Sequence, residues 1–441
     1  MTNQKWIAYA LEQGFEAFEV YQLLEQNKSV SWFSGQVDSF VTSRVLGTSL
    51  RGIIGGKMAN YSLEDPSDDN MEKVISGMID QANAITSEEE SVIRFPQETE
   101  TVLSSKKWVR PSNEQIRELM KSLEEKAYAY DPRIVQVSGV SWDEVKTVRR
   151  IENSRGVRVE DGEYAQALFE GVAASENGQV KTGYKLEVIE DIAQFDQDEF
   201  VGKLCGDAVK QLGATSLPSG QYPVIIERGA MTSLFQAFTG LFSGDLISKG
   251  ISPLKDKLEQ KIFSDVITVV DDPRLCDAVS LANYDDEGCP TMTKTLVDGG
   301  VFKVIAHDSK SARKMGTEST GNGFRASYTS PVNVALKNCY IVPGERSLDE
   351  MCAAMGEGLV VTSLQGLHAG IDFVTTNFSL QCSGYWVKDG KRDHSVSLIT
   401  IAANFLDLMK SAEEVGNDLK WSIGNVACPS VRFTSCAISG E

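Results

Sequence analysis

The chain has 441 residues, 62 of them Asp or Glu and 43 Lys or Arg, so its formal charge is −19 with its three histidines neutral. A chain this acidic, with no long run of basic residues, is repelled by nucleic-acid phosphate and anionic lipid, which excludes both as direct partners. Its 41% hydrophobic and 24% charged fractions are those of a globular protein, and at about 150 residues per domain its length predicts two to three domains.

The N-terminus, MTNQKWIAYALEQGFE, lacks the basic and apolar regions of an export signal, and no apolar stretch is long enough to span a bilayer. Trp6 to Glu12 has helical periodicity ending at Gly14. FEAFEVYQL, SVSWFSG, VTSRVLGTSLRGI and KMANYS then read as an antiparallel meander. Asp69 to Ala84 carries Met71, Val74, Ile75, Met78 and Ile79 at helical spacing, the pattern of a helix laid on a sheet. A second helix starts at Pro111-Ser112-Asn113, where Ser112 and Gln115 predict a capping box, and runs to about Tyr130. VQVSGVSWDEV, KTVRRIENS, RGVRVEDG, YAQALFEGVAAS and GQVKTGYKLEV read as strands, with Asp161-Gly162 and Asn177-Gly178 as hairpin turns. Phe195 to Leu212 is predicted helical, capped by Asp196 and ended by Gly213.

The polar turn SLPSGQ, Ser216 to Gln221, divides the chain into an N-terminal α+β domain over 1–215 and a β-rich domain over 222–441. In the second, YPVIIE is a strand and Ala230 to Leu241 an apolar helix whose Leu234, Phe235, Phe238 and Leu241 share one face. Lys249 to Ile262 reads as a polar helical piece and Ile401 to Val415 as a late helix. The predicted architecture is α+β: an antiparallel sheet with helices, then a β-rich domain.

Seven of the eight cysteines lie in the second half, Cys205 being the exception, and no two form a CxxC pair, which points to reduced, buried thiols rather than a disulfide framework. His307, His368 and His394 are too far apart for one helix to present two imidazoles, so an HExxH zinc site is absent. GLHAG at 366–370 followed by Cys382 permits a Cys/His pair on paper, but Cys382 sits in a strand pattern where simple packing is the plainer reading. Asp285, Asp286 and Glu287 crowd three negative charges before Gly288, a cluster expected to be a solvated turn; Arg325 is placed to neutralise it or to hold a peptide carboxylate.

DDEGCPT, TGNGFR, VPG, HAGIDFVTTNFSLQCSGYWVKDGK, SLITIAANFLDLM, GNDLKW and the closing AISGE together resemble the C-terminal half of the TldD/PmbA family, the old "modulator of DNA gyrase" proteins. The likeness is dense from about Tyr284 to Glu441 and collinear through NSRGVRVEDG in the first half. That family contains metalloprotease subunits with an HExxxH helix and partners, the TldE/PmbA type, without it. Matching the helix on the following Gly244-Asp245 puts Phe235, Gln236 and Gly240 where the first histidine, the glutamate and the second histidine would stand. A phenyl ring and a glycine offer zinc no lone pair, and a neutral amide is no general base. The family's cysteine ligand has no assured counterpart, and Cys428 stays unassigned.

The resemblance therefore implies a TldE-like chain with no catalytic residue and no metal of its own, zinc being held by an HExxxH-bearing, TldD-like partner. It implies a cytoplasmic heterodimer acting on unfolded peptides, with a homodimer also open for the isolated chain, and peptide contacts at Asn322, Arg325, His368 and Asn377. Two other classes stay open: a self-sufficient thiol hydrolase using Cys382 with His368, and a non-proteolytic regulator binding folded partners.

Overall fold

The structure is a computed structural model that describes residues 3–64, 66–86 and 92–441. The first half is built on one six-stranded antiparallel sheet of unusually long strands: β1 (Ala17–Phe33), β2 (Gln36–Ile54), β3 (Lys57–Leu63), β4 (Ile134–Asn153), β5 (Arg158–Glu176) and β6 (Gln179–Val188), in the order β3-β2-β1-β4-β5-β6. Segments that read as separate short strands are thus continuous. Asp161-Gly162 is no turn: Gly162 pairs with Val148 in mid-strand, and the Asp161 carboxylate accepts from Arg149 at 3.2 Å and from the Asn283 backbone at 3.2 Å. Tertiary partners override the local turn preference there. Asn177-Gly178 does form its hairpin, with φ of 50° and 79°.

Alternation along β1 sets the layers. Phe18 and Val20 pack with α1 (Asn3–Glu12) and α2 (Met71–Ala84), while Val30 and Trp32 pack with α3 (Asn113–Tyr130) and α4 (Gln197–Lys210). Both helix pairs therefore cover the same sheet face. The odd-numbered face, with Glu19 and Tyr21, is left for the second half.

That half is centred on a seven-stranded sheet beginning with β7 (Gly220–Ile226). Pairing of strand Gly358–Gln365 with both β7 and strand Asn377–Lys388 closes a ring that continues through strands Lys391–Asn404 and Val431–Ser439. Phe378, Leu380 and Cys382 alternate into its apolar interior, so their neighbours Gln381 and Ser383 point outward. This is a mixed α/β molecule with an antiparallel, helix-covered first half and a β-rich second.

Two predicted helices differ. Lys249 to Ile262 is a chain of turns: Ser252-Pro253 disfavours helix, Asp256 and Glu259 are left-handed at φ 61° and 62°, and the Glu259 and Ile262 amides donate to Phe302 and Gly300. In the Ile401–Val415 stretch only Phe405–Lys410 is helical; before it the chain is strand, and Ala412–Val415 pairs with the C-terminal strand.

Candidate functional site

The helix α5 (Arg228–Ala237) leaves β7 with only Glu227 between them. Its N-terminal half is stitched to the segment that leads into the last strand: the Arg228 amide donates to Ser430 Oγ at 3.1 Å, Ser430 is held in turn by Asp418, and the Cys428 amide donates to Thr232 Oγ1 at 2.9 Å. Met231, Leu234, Phe235, Phe238 and Leu241 are all buried in the largest core cluster, as the apolar spacing predicts. Phe238 stacks on Phe405 with centroids 4.2 Å apart, and Phe235 lies 6.1 Å from the same ring and 6.5 Å from Phe242.

Past Ala237 the helix tightens into a 3₁₀ turn, Thr239–Phe242. A Cβ at Gly240 would stand 3.2 Å from both Leu246 and the Phe373 ring, so an imidazole there would have to push these two side chains aside. Phe373, on the segment that carries His368 and Asn377, had no sequence signal for this role. Gln236 is exposed.

A metal ion does not fit these residues. Their donor set is a phenyl ring, an amide and a glycine, and among the described residues no three His, Cys, Asp or Glu side chains converge closely enough to hold one. His307 is buried beside Gly244, hydrogen-bonded through Nδ1 to Ser311 at 3.1 Å, and burial pushes its pKa down to about 4, so it is neutral at pH 7. His394 is exposed against Asp393. Burial raises the Cys428 thiol well above its ordinary range and pushes Cys382 up to about 12. Cys382 points into the ring interior while His368 sits on the exposed Gly366–Gly370 turn, so the structure does not bring them together as a nucleophile and base.

The acidic cluster is not solvated. Asp285, Asp286 and Glu287 are all buried, and they meet cations from the odd face of the first sheet. Arg51 joins Glu19 at 2.6 Å to Glu287 at 3.3 Å, and Arg149 contacts Asp286 at 2.9 Å and Asp161 at 3.2 Å. Burial and Glu287 push the Asp285 carboxyl up, against the backbone amides of Cys289, Gly323 and Glu287 that it accepts. A Cβ at Gly323 would fall 2.8 Å from Glu287 Oε2, an atom that the Ser309 amide holds at 2.7 Å, so any larger residue would have to displace that carboxylate.

The four expected peptide contacts do not form one group. Asn322 is fully buried; its Nδ2 donates to Asp271 at 2.8 Å and to the Ala335 carbonyl at 2.9 Å, leaving no surface for a ligand. Arg325 lies 4.9 Å from the Tyr21 ring centroid and donates to Ser49 Oγ and the Ser330 carbonyl, in the seam between the halves. His368 and Asn377 are exposed, flanking Phe373. Glu19, Arg51 and Arg149 escaped the sequence reading; the one available signal was the Arg149-Arg150 pair in mid-strand.

Three family models match the chain, the first, central and C-terminal domains of PmbA/TldA metallopeptidases, over residues 18–82, 106–215 and 219–440. The chain is 29% identical over 325 residues to the metalloprotease PmbA of Escherichia coli O157:H7, covering 74% of this chain and 69% of that protein. It is 30% identical over 223 residues to a metalloprotease TldD homologue of Buchnera aphidicola, covering 50% and 46%. A Thermotoga maritima crystal structure described as a modulator of a DNA gyrase superposes with a TM-score of 0.88 at 27% identity, over 99% of each chain. TldE from Thermococcus kodakarensis shares the fold, with a TM-score of 0.90 at 23% identity over 99% of each chain. With more than half its length matched by the C-terminal model alone, and collinear matches before it, this chain belongs to the PmbA/TldD family of metallopeptidases.

Proposed function

We propose that this chain is the metal-free, TldE-type subunit of a two-component cytoplasmic peptidase that degrades or processes unfolded peptides. The observation that carries the reading is the α5 region: Phe235 is core, Gly240 has no side chain and is crowded by Phe373 and Leu246, and Gln236 is a neutral amide. The chain then supplies shape rather than chemistry, pairing with a related subunit that bears HExxxH and holds the zinc. His368 and Asn377, exposed on either side of Phe373, are the peptide contacts this reading keeps. The cytoplasmic assignment is supported by eight cysteines that are all unpaired, seven of them buried. Among the described residues no helix is long and apolar enough to cross a membrane.

The test is cleavage of an unfolded peptide by the purified chain, by an HExxxH-bearing relative from the same cell, and by the mixture, each with and without chelator. The chain alone is expected to be inactive, and the mixture to form a hetero-oligomer whose chelator-sensitive activity exceeds that of either component. Robust chelator-insensitive cleavage by the chain alone would overturn the reading. Capture of folded partners without any such relative would favour a regulatory binding role instead.

A further inference from the structure

The strand Lys391–Asn404 carries a residue that is unusual twice over. Leu398 has φ of +59° and is 73% exposed. A left-handed backbone crowds any Cβ, and an exposed leucine forgoes its burial, so both features work against stability. The cause is a bulge: Cys382 pairs with Ile399 and Gly384 with Val396, so Ser397 and Leu398 share the one place opposite Ser383. The bulge throws the leucine off the ring and toward the first half.

There it borders a groove of about 270 Å³ between the ring's outer surface and β6. Val180 and Tyr184 on β6, 62% and 63% exposed, face it as a second apolar wall. The floor is polar but uncharged. Gln365 lies opposite Gln381 and Ser363 opposite Ser383, two cross-strand pairs on the outward face, and none of these four side chains has a hydrogen-bond partner among the described residues. The one charged lining side chain, Lys181, is engaged with Ser397 Oγ at 3.3 Å. β6 is moreover a sheet edge, paired only with β5, and its outward main-chain groups have no other backbone partner among the described residues.

We propose that this groove seats an extended, uncharged peptide segment, which adds to the β6 edge through its main chain and places an apolar side chain against Leu398 and Tyr184. Free amides and hydroxyls beside an open edge match the neutral donors and acceptors of a peptide backbone, and two apolar walls match a side chain between them. An anionic ligand would meet a single cation, Lys181, among neutral amides, hydroxyls and apolar walls, so most of the groove offers a charged group nothing. The ligand class rests on the peptide-handling reading above; the location rests on the groove alone.

The test uses the full chain by itself, without metal or relative, so it succeeds or fails independently of pairing and cleavage. The probe is a dansylated, C-terminally amidated peptide of sequence Gly-Ser-Val-Leu-Val-Ser-Gly, titrated by fluorescence. Leu398→Gly suits the left-handed backbone, so its melting temperature is expected not to fall, while probe affinity drops by about tenfold or more. Tyr184→Ala is expected to weaken binding similarly, and Leu103→Ala, an exposed leucine outside the groove, to leave it unchanged. Wild-type affinity in both groove variants, or no saturable binding by the parent chain, would overturn the proposal. So would light scattering that shows Leu398→Gly dissolving a dimer without changing probe binding, since the groove would then seat a second copy of the chain.

Discussion

Phe235, Gly240 and Glu170 show how one side chain decides what its surroundings can do. Restoring histidine at Phe235 removes a ring packed against Phe405 and Phe242, and leaves imidazole nitrogens among apolar neighbours. The triple variant Phe235→His, Gln236→Glu, Gly240→His is expected to lose about 3 kcal/mol or more of stability in urea titration and to bind no stoichiometric zinc by elemental analysis. Retention of one zinc through chelator dialysis would show that the remaining ligands are closer than the packing allows. Glu170 makes the complementary case: it is fully buried under α3 and α4, both carboxylate oxygens lack a partner among the described residues, and burial followed by the nearby Glu124 pushes its pKa up to about 8. A carboxyl that holds its proton when folded but releases it near pH 4.5 when unfolded makes stability fall as pH rises through that window, with the loss complete above about pH 8. Glu170→Gln is expected to flatten this slope, so its stability gain over the parent chain is larger at pH 8.5 than at pH 5. Equal gains at both values would show that Glu170 titrates in its ordinary range.

At the scale of elements, what was legible was local chemistry, and what was not was long-range pairing. The Ser112–Gln115 capping box forms both of its reciprocal bonds, with Ser112 Oγ accepting the Gln115 amide at 3.2 Å and Gln115 Oε1 accepting the Ser112 amide at 2.9 Å. Ser112→Ala is accordingly expected to cost about 1 kcal/mol in chemical denaturation, with a loss of helical signal confined to the first turn. The apolar face of α5 was equally readable, because periodicity records burial directly. Asp161-Gly162 misled because its turn preference is satisfied through the tertiary partners Asn283 and Arg149, which no local window contains. Ile401 to Asn404 misled in the other direction: the apolar run that leads into the Phe405–Lys410 helix reads alike as strand or helix, and only pairing of Ile401 with Leu380 and Ile438 settles where the strand ends. Phe373 over Gly240 was illegible for the same reason, since the two are brought together by the ring and by no motif.

At the scale of the whole molecule, two of the phrases that carried the family resemblance hold the two halves to each other. DDEGCPT and TGNGFR meet in one buried seam, where Arg149 of the first sheet serves Asp286, Asp161 and the Tyr284 carbonyl at once. A charge network of this kind contributes little net stability when complete, because desolvation offsets attraction, yet removing one member strands the others without a counter-charge. Arg149→Ala leaves two carboxylates inadequately compensated in the seam, and is expected to cost on the order of 3–5 kcal/mol. The damage should fall on the contact between halves more than on either core, since the Trp32–Trp142 cluster and the α5 cluster lie outside the seam. Urea unfolding followed by tryptophan fluorescence is therefore expected to be biphasic in the variant, with limited proteolysis opening the 284–291 and 321–337 loops before the sheets. Adding Asp286→Ala should restore part of the loss, because the carboxylate left behind is the main source of the penalty. If the double variant is as destabilised as the sum of the singles, Arg149 and Asp286 act independently and the seam is held by packing rather than by paired charge.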